Sequence, residues 1–228
     1  MNVKVIRAHL ALLGAASMWG LMSPMGKAAM EAGITGLSLA TMRMIGGAVC
    51  FWIASLFAPK EKVSSHDLML LFFAGLLGIV CNQGCFTFGL SLTSPIDASI
   101  VTTTMPIVTM ILAALFLKEP VTPKKVIGIF LGSIGALMLI LSNQGGSVDG
   151  GGSILGDALC ITAQVSFACY LTIFKKLISR YNVFTLMKWM FTYAAICCIP
   201  FSYNGLASIN FTTLPTAVYA DLAFIVFG

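Results

Sequence analysis

Apolar residues in this chain come in long unbroken runs rather than in alternation. Uncharged stretches of about 20 residues, the length that crosses the ~30 Å hydrocarbon core of a bilayer, recur along nearly the whole sequence. Eight such runs can be read: Leu10–Ala29, Leu37–Phe57, Leu68–Leu90, Ala98–Leu117, Val126–Leu141, Leu155–Phe174, Phe184–Tyr203, and one from Ala217 to Gly228. The pattern predicts an all-α membrane protein, a multi-span helical bundle. The first run exceeds the ~7–15 apolar residues of a signal-peptide core, so it is expected to be retained as a span. The last holds about 12 residues, or ~18 Å at ~1.5 Å per residue, too short to cross. The expectation is a fragment of a longer protein.

Composition agrees with the pattern: 58% of residues are hydrophobic and only 9% charged, too few charges to cover a water-facing surface of this size. The charges that remain are unevenly placed. Lys4 and Arg7 precede the first run, and Lys60 and Lys62 lie between the second and third. Lys118, Lys124 and Lys125 lie between the fourth and fifth, and Lys175, Lys176 and Arg180 between the sixth and seventh. The alternate connections hold only Lys27, together with Asp149 and Asp157. Ten basic residues against one put the N-terminus in the cytoplasm of a cell whose inner (plasma) membrane holds the protein. The net charge of +5 therefore reflects topology, and no aromatic-interleaved basic patch points to nucleic acid.

All seven cysteines (Cys50, Cys81, Cys85, Cys160, Cys169, Cys197 and Cys198) fall inside the runs, where they are expected to pack as small soft side chains. His9 and His66 sit at the cytoplasmic interface, away from any carboxylate cluster. With neither a metal set nor a nucleophile–base pair in the spans, the chain is not expected to be an enzyme, and no cofactor is implied. The glycine-rich stretch Gly145–Ser153 follows no strand and is expected to be an external loop.

With a constant shift of 148 positions, spans six and seven lie on spans one and two, Lys27 falling on Lys175 and Trp19 on Phe167. Span one runs outward and span six inward, so matched segments have opposite orientation. That is an inverted-topology repeat, an arrangement in which substrates bind near the bilayer midplane. The expected organisation is a five-helix repeat over residues 1–142, a loop over 143–154, and a second five-helix repeat over 155–228 that stops within its third helix.

Polar residues inside the spans are the candidate functional groups. Asn82 and Gln83, with Phe86 one turn on, occupy the outer half of span three. Gln164 lies near the midplane in span six. Side-chain amides there either bond between helices or meet a substrate. On span four, Ser99, Thr102 or Thr103, and Pro106 share one helical face. Pro106 should free the Thr102 carbonyl, which then needs a hydroxyl or a wet cavity. Trp19 lies mid-span, away from the interfacial aromatic belts. Arg43 either snorkels to the outer headgroups or faces the bundle, where a polar group or an anionic substrate would meet it. Lys188 is expected to snorkel to the cytoplasmic side. Ser94-Pro95-Ile96-Asp97 has the form of a capping box, with Asp97 as a cap. Gly128, Gly132 and Gly135 form one small face, read as helix packing, and Glu119 is expected to pair with a loop lysine.

The stretch from Ser94 to Leu141, SPIDASIVTTTMPIVTMILAALFLKEPVTPKKVIGIFLGSIGALMLIL, resembles the EamA-type branch of the drug/metabolite transporter superfamily. Trp19-Gly20 and Arg43 are also similar to that family's habits. The resemblance implies a ten-helix secondary transporter with cytoplasmic termini. It would move a small organic metabolite (an amino acid, a derivative or a drug-like amphiphile) by alternating access. The cavity would be walled by Trp19, Asn82, Gln83, Phe86, Ser99, Thr102, Thr103, Pro106 and Gln164, with Arg43 as a charge partner. A non-transporting scaffold or regulator, or a channel, is the alternative. Partners would be the substrate, the lipid bilayer and a coupling proton or ion. A homodimer is left open.

Overall fold

The computed structural model describes residues 3–142 and 153–227. The helices in order are α1 (Val3–Glu31), α2 (Gly36–Ser55), α3 (Ser65–Gly75), a π-helical turn (Leu76–Cys81), α4 (Asn82–Leu92), α5 (Pro95–Thr102), α6 (Met105–Leu117) and α7 (Pro123–Ser142). They continue with α8 (Ile154–Ile173), the single turn α9 (Lys175–Ile178), α10 (Val183–Ala207), a 3₁₀ turn (Phe211–Thr213) and α11 (Thr216–Phe227). Six helical stretches among the described residues are long and apolar enough to cross a membrane. The fifth run of the sequence is the 20-residue α7, and the last is the 12-residue α11. The all-helical, multi-span fold is thus as the hydrophobic pattern predicts. The connection Gly145–Gly152 lies outside the described residues.

Two spans are less regular than their hydropathy implies. The third is α3, the π-helical turn and α4 in continuous succession, so one residue is looped into the ladder just before Asn82. Such π-bulges re-aim the side chains that follow and often sit at functional sites. Two side chains secure the junction: Ser166 Oγ of α8 donates to the Leu77 carbonyl at 2.7 Å, and Asn82 Nδ2 donates to the Ala163 carbonyl at 2.9 Å. The fourth span breaks at Thr103–Thr104 into α5 and α6, a turn before Pro106. The backbone tightens there, with Thr103 N bonding Ile100 O at 3.1 Å and Thr104 N bonding Val101 O at 3.0 Å. The hydroxyls of the same two threonines return to the same two carbonyls at 2.7 Å. At the start of α5, Ser94 Oγ accepts from Asp97 N at 3.0 Å and donates to its carboxylate at 2.7 Å, completing the expected cap.

The main core lies where α2, α3 and the π-helical turn close around α10, with α8 packed on the far side of that turn, and Met44, Leu71, Leu186 and Met190 are all but inaccessible. A second cluster joins the C-terminal half of α1 to α2 and α11 through Ala29, Leu39 and Leu222. Helices approach closest at glycines. A Cβ at Gly89 would lie 2.8 Å from the Gly156 carbonyl oxygen, and one at Gly156 would lie 2.9 Å from that of Gly89, so α4 and α8 meet backbone to backbone. Nothing among the described residues comes within 4 Å of a Cβ at Gly128, Gly132 or Gly135. Among the described residues the small face of α7 is therefore open, and close packing is made instead at Gly89 and Gly156.

Charges gather at the two ends of the bundle. At one end Arg180 grips Asp67 through 3.0 and 2.8 Å bonds while Tyr181 donates to the same carboxylate at 2.6 Å. Glu61 accepts from the Asn182 amide at 3.0 and 3.1 Å, and Glu119 pairs with Lys175 and, at 3.8 Å, with Lys125. These contacts tie the 2–3, 4–5 and 6–7 connections into one surface. The bond to Asp67 raises the Tyr181 pKa, and the bond from Lys175 lowers that of Glu119. At the opposite end Lys27 donates to the carbonyls of Leu90 (3.1 Å) and Thr93 (3.2 Å), a cation on the negative pole of α4. Lys188 lies with its ammonium 4.9 Å from the centre of the Trp52 ring.

Candidate functional site

A cavity of about 280 Å³ opens between α1, α2, α4, α5 and α8. Trp19, Arg43, Asn82, Gln83, Phe86, Ser99, Thr102 and Gln164 all line it. These residues come from five helices far apart in sequence and meet around one opening. Thr103 and Pro106 do not reach it. The break after Thr102 turns Thr103 toward α7, where its carbonyl accepts from Ser133 Oγ at 3.4 Å. Pro106 faces a different cavity of about 350 Å³, between α6 and α7, which also holds Glu119 and Lys125. The shared face expected for Ser99, Thr102 and Pro106 assumed one continuous helix, and the interruption ends it.

The polar atoms around the cavity form a partly closed network. Asn82, 6% exposed, spends its amide NH₂ on α8, as above, and accepts from Gln83 Nε2 at 3.2 Å. Gln83 Oε1 in turn accepts from Arg43 Nη1 at 3.3 Å. The chain Arg43–Gln83–Asn82–Ala163 therefore runs across the cavity from α2 through α4 to α8. Arg43 turns inward to the bundle, its other neighbour being the Met22 sulfur. Among the described residues no carboxylate pairs with it. Ser99 and Thr102 return their hydroxyls to the Pro95 and Ala98 carbonyls at 2.6 and 2.7 Å, leaving oxygen lone pairs toward the cavity. Two groups stay unspent. Gln164 is only 4% exposed and its amide bonds to no described residue. Ser23 is 8% exposed, and its buried hydroxyl has no partner among the described residues. An unpaired polar group in hydrocarbon costs several kcal/mol, roughly, unless water or a ligand meets it.

The apolar side of the cavity is aromatic. Trp19, half-exposed at 50%, stands edge-on to Phe167 with ring centroids 6.3 Å apart, and Phe86 faces it from α4. Sequence reasoning passed over Ser23 and Met22, and noted Gly20 only beside Trp19 without placing it in the cavity wall. One signal was present: Pro24 cannot donate to the carbonyl four residues earlier, that of Gly20. A carbonyl without that donor and the nearby Ser23 mark a polar strip on an otherwise apolar helix.

Membrane-length helices enclosing a polar, aromatic-walled cavity define a polytopic integral membrane protein. The chain belongs to the EamA-like transporter family, whose profile matches residues 6–141. Members of this family, a branch of the drug/metabolite transporter superfamily, are transporters rather than enzymes. Among curated proteins the chain is similar to an uncharacterized transporter of Archaeoglobus fulgidus, 29% identical over 66% of this chain and 52% of that one. It is also similar to the uncharacterized transporter YyaM of Bacillus subtilis strain 168, 26% identical over 67% of this chain and 50% of that one. The Arabidopsis thaliana protein WALLS ARE THIN 1 is 27% identical over 72% of this chain and 38% of its own. The chain spans about half the length of the first two relatives. A solved crystal structure superposes with a TM-score of 0.66 at 15% identity, covering 94% of this chain and 75% of that one, a likeness of fold.

Proposed function

We propose that this protein is a secondary carrier of a small organic metabolite, working by alternating access, with the cavity beside Arg43 as its substrate site. The observation that carries the reading is the pair of unspent polar groups, Gln164 and Ser23, facing a cavity of about 280 Å³ inside a membrane bundle. That volume is close to the lower end of the ~300–1,000 Å³ usual for small-molecule pockets, which fits a single metabolite. The arrangement of α2 against α10, helices matched by the 148-residue shift, and the Trp19–Phe167 ring contact between matched positions support an inverted repeat. In such a fold the two halves rock about a site near the midplane. The positive-inside distribution supports a cytoplasmic N-terminus in the inner (plasma) membrane. Coupling to a proton or another ion belongs to the same reading.

The deciding experiment is counterflow in proteoliposomes holding the purified protein. Vesicles preloaded with a substrate should transiently accumulate the same labelled compound, with saturation. Flux that rises linearly with concentration and shows no counterflow would mean a channel, and absence of any flux across a metabolite library would mean a scaffold.

A further inference from the structure

Arg43 is the one feature of the cavity that this reading leaves unexplained. A guanidinium is always charged and carries five donors in a planar fork. Here Nη1 meets only neutral groups, Gln83 Oε1 and the Met22 sulfur, and no described carboxylate balances the charge. Taking a cation out of water without a counter-charge is costly, and such charges in spans mark ligand pathways. The neighbouring acceptors are already used: Gln83 Oε1 by Arg43, and Asn82 Oδ1 by Gln83. With those two acceptors engaged and no described carboxylate beside it, the Arg43 guanidinium gives its part of the cavity a positive potential, which suits an anion and opposes an ammonium. The same cavity is walled by the rings of Trp19 and Phe86, which favour a flat apolar body.

We propose that the cavity takes small organic monocarboxylates with an aromatic or flat apolar body, Arg43 holding the carboxylate through its guanidinium fork while Trp19 and Phe86 hold the body. The proposal rests on the cavity being the substrate site of a carrier. It deepens that reading by excluding amines and by ranking a net-negative acid above its neutral amide.

Three matched probes test it: phenylacetate, phenylacetamide and phenethylamine, which share a ring and differ in the charge of the head group. Each is titrated up to about 10 mM against the thermal unfolding of the purified protein, where binding to the folded state alone raises Tm. Phenylacetate should raise Tm and the other two should not. Arg43→Gln should weaken the phenylacetate response by at least about tenfold, the scale of one lost charge-assisted hydrogen bond. Arg43→Lys should keep part of it, since lysine retains the charge without the fork. Ligand-free Arg43→Gln should melt no lower than the parent, because an unbalanced buried charge has been removed. A lower Tm there would give Arg43 a structural role and overturn the proposal. So would an amine or amide effect equal to that of the acid, or no phenylacetate effect at all. Labelled flux separates the two readings. Arg43-dependent phenylacetate binding without saturable transport leaves the anion site standing and removes the carrier. Saturable transport of phenethylamine unaffected by Arg43→Gln does the reverse.

Discussion

Asn82 and Ser23 show how differently two buried polar residues serve the same cavity. Asn82 is fully engaged, bridging α4 to the Ala163 carbonyl and steadying Gln83. Replacing it with leucine removes the bond between α4 and α8 and leaves Gln83 Nε2 unpaired, which should cost about 1–3 kcal/mol and lower Tm accordingly in a thermal melt. Ser23 offers its hydroxyl to no described residue. Ser23→Ala should therefore leave Tm unchanged or slightly raised, and any effect should fall on the KM of transport. Asn82 and Gln83 stand out in the sequence because two adjacent amides in an apolar run are conspicuous. Ser23 escaped because a lone serine in a span is unremarkable until its hydroxyl is seen to lack a partner.

Among the elements, the seam between α4 and α8 and the open face of α7 invert what glycine spacing implies. A G-x-x-x-G pattern is a statement about one helix, whereas close packing needs a second backbone at the right place. Gly89 and Gly156 have each other, and Gly132 has no described neighbour within 4 Å of its Cβ position. Gly156→Leu should drive α8 off α4 and cost about 1–3 kcal/mol or more, as overpacking does. Gly132→Leu should leave the melting temperature nearly unchanged. Detergent melts of the two variants side by side decide the matter, and equal loss in both would restore a packing role to the α7 face. The π-helical turn at Leu76–Cys81 belongs to the same lesson. It is held by Ser166 and Asn82 reaching between helices, so no local pattern of apolar residues in span three announces it.

For the whole molecule, the ion pairs at one end act as a strap across three connections. Glu119 takes part through Lys175 and Lys125, and the hydrogen bond from Lys175 holds its carboxyl below the ordinary value of 4.5. A carboxylate with a lowered folded-state pKa contributes stability that is fully present above that ordinary value. The contribution fades as pH falls from there through the lower folded value. Unfolding followed from pH 7 downward should therefore show an acid loss that Glu119→Gln reduces, by a small amount because the pair is solvent-exposed. Orientation is checked separately. Single cysteines at Lys60 and Glu31, in a background free of the native seven, should label from opposite sides of the membrane with an impermeant thiol reagent. Labelling of both from outside would overturn the cytoplasmic N-terminus.

The sequence by itself determined that the chain lives in a bilayer, how many apolar runs it has, and which connections share a side. Each of these follows from the cost of moving charge and bare backbone into hydrocarbon, a cost paid residue by residue and so legible residue by residue. It also singled out six polar residues that line the cavity, because polar groups in lipid are expensive wherever they occur. Tertiary structure alone decided that Arg43 turns inward to Gln83, that the break after Thr102 sends Thr103 and Pro106 elsewhere, and that Gly89 rather than Gly132 is the point of contact. Those outcomes depend on which side of a helix meets which neighbour, and on where a carbonyl on one helix finds a donor on another. Such pairings join residues as far apart as Asn82 and Ala163, and no single run of sequence contains both.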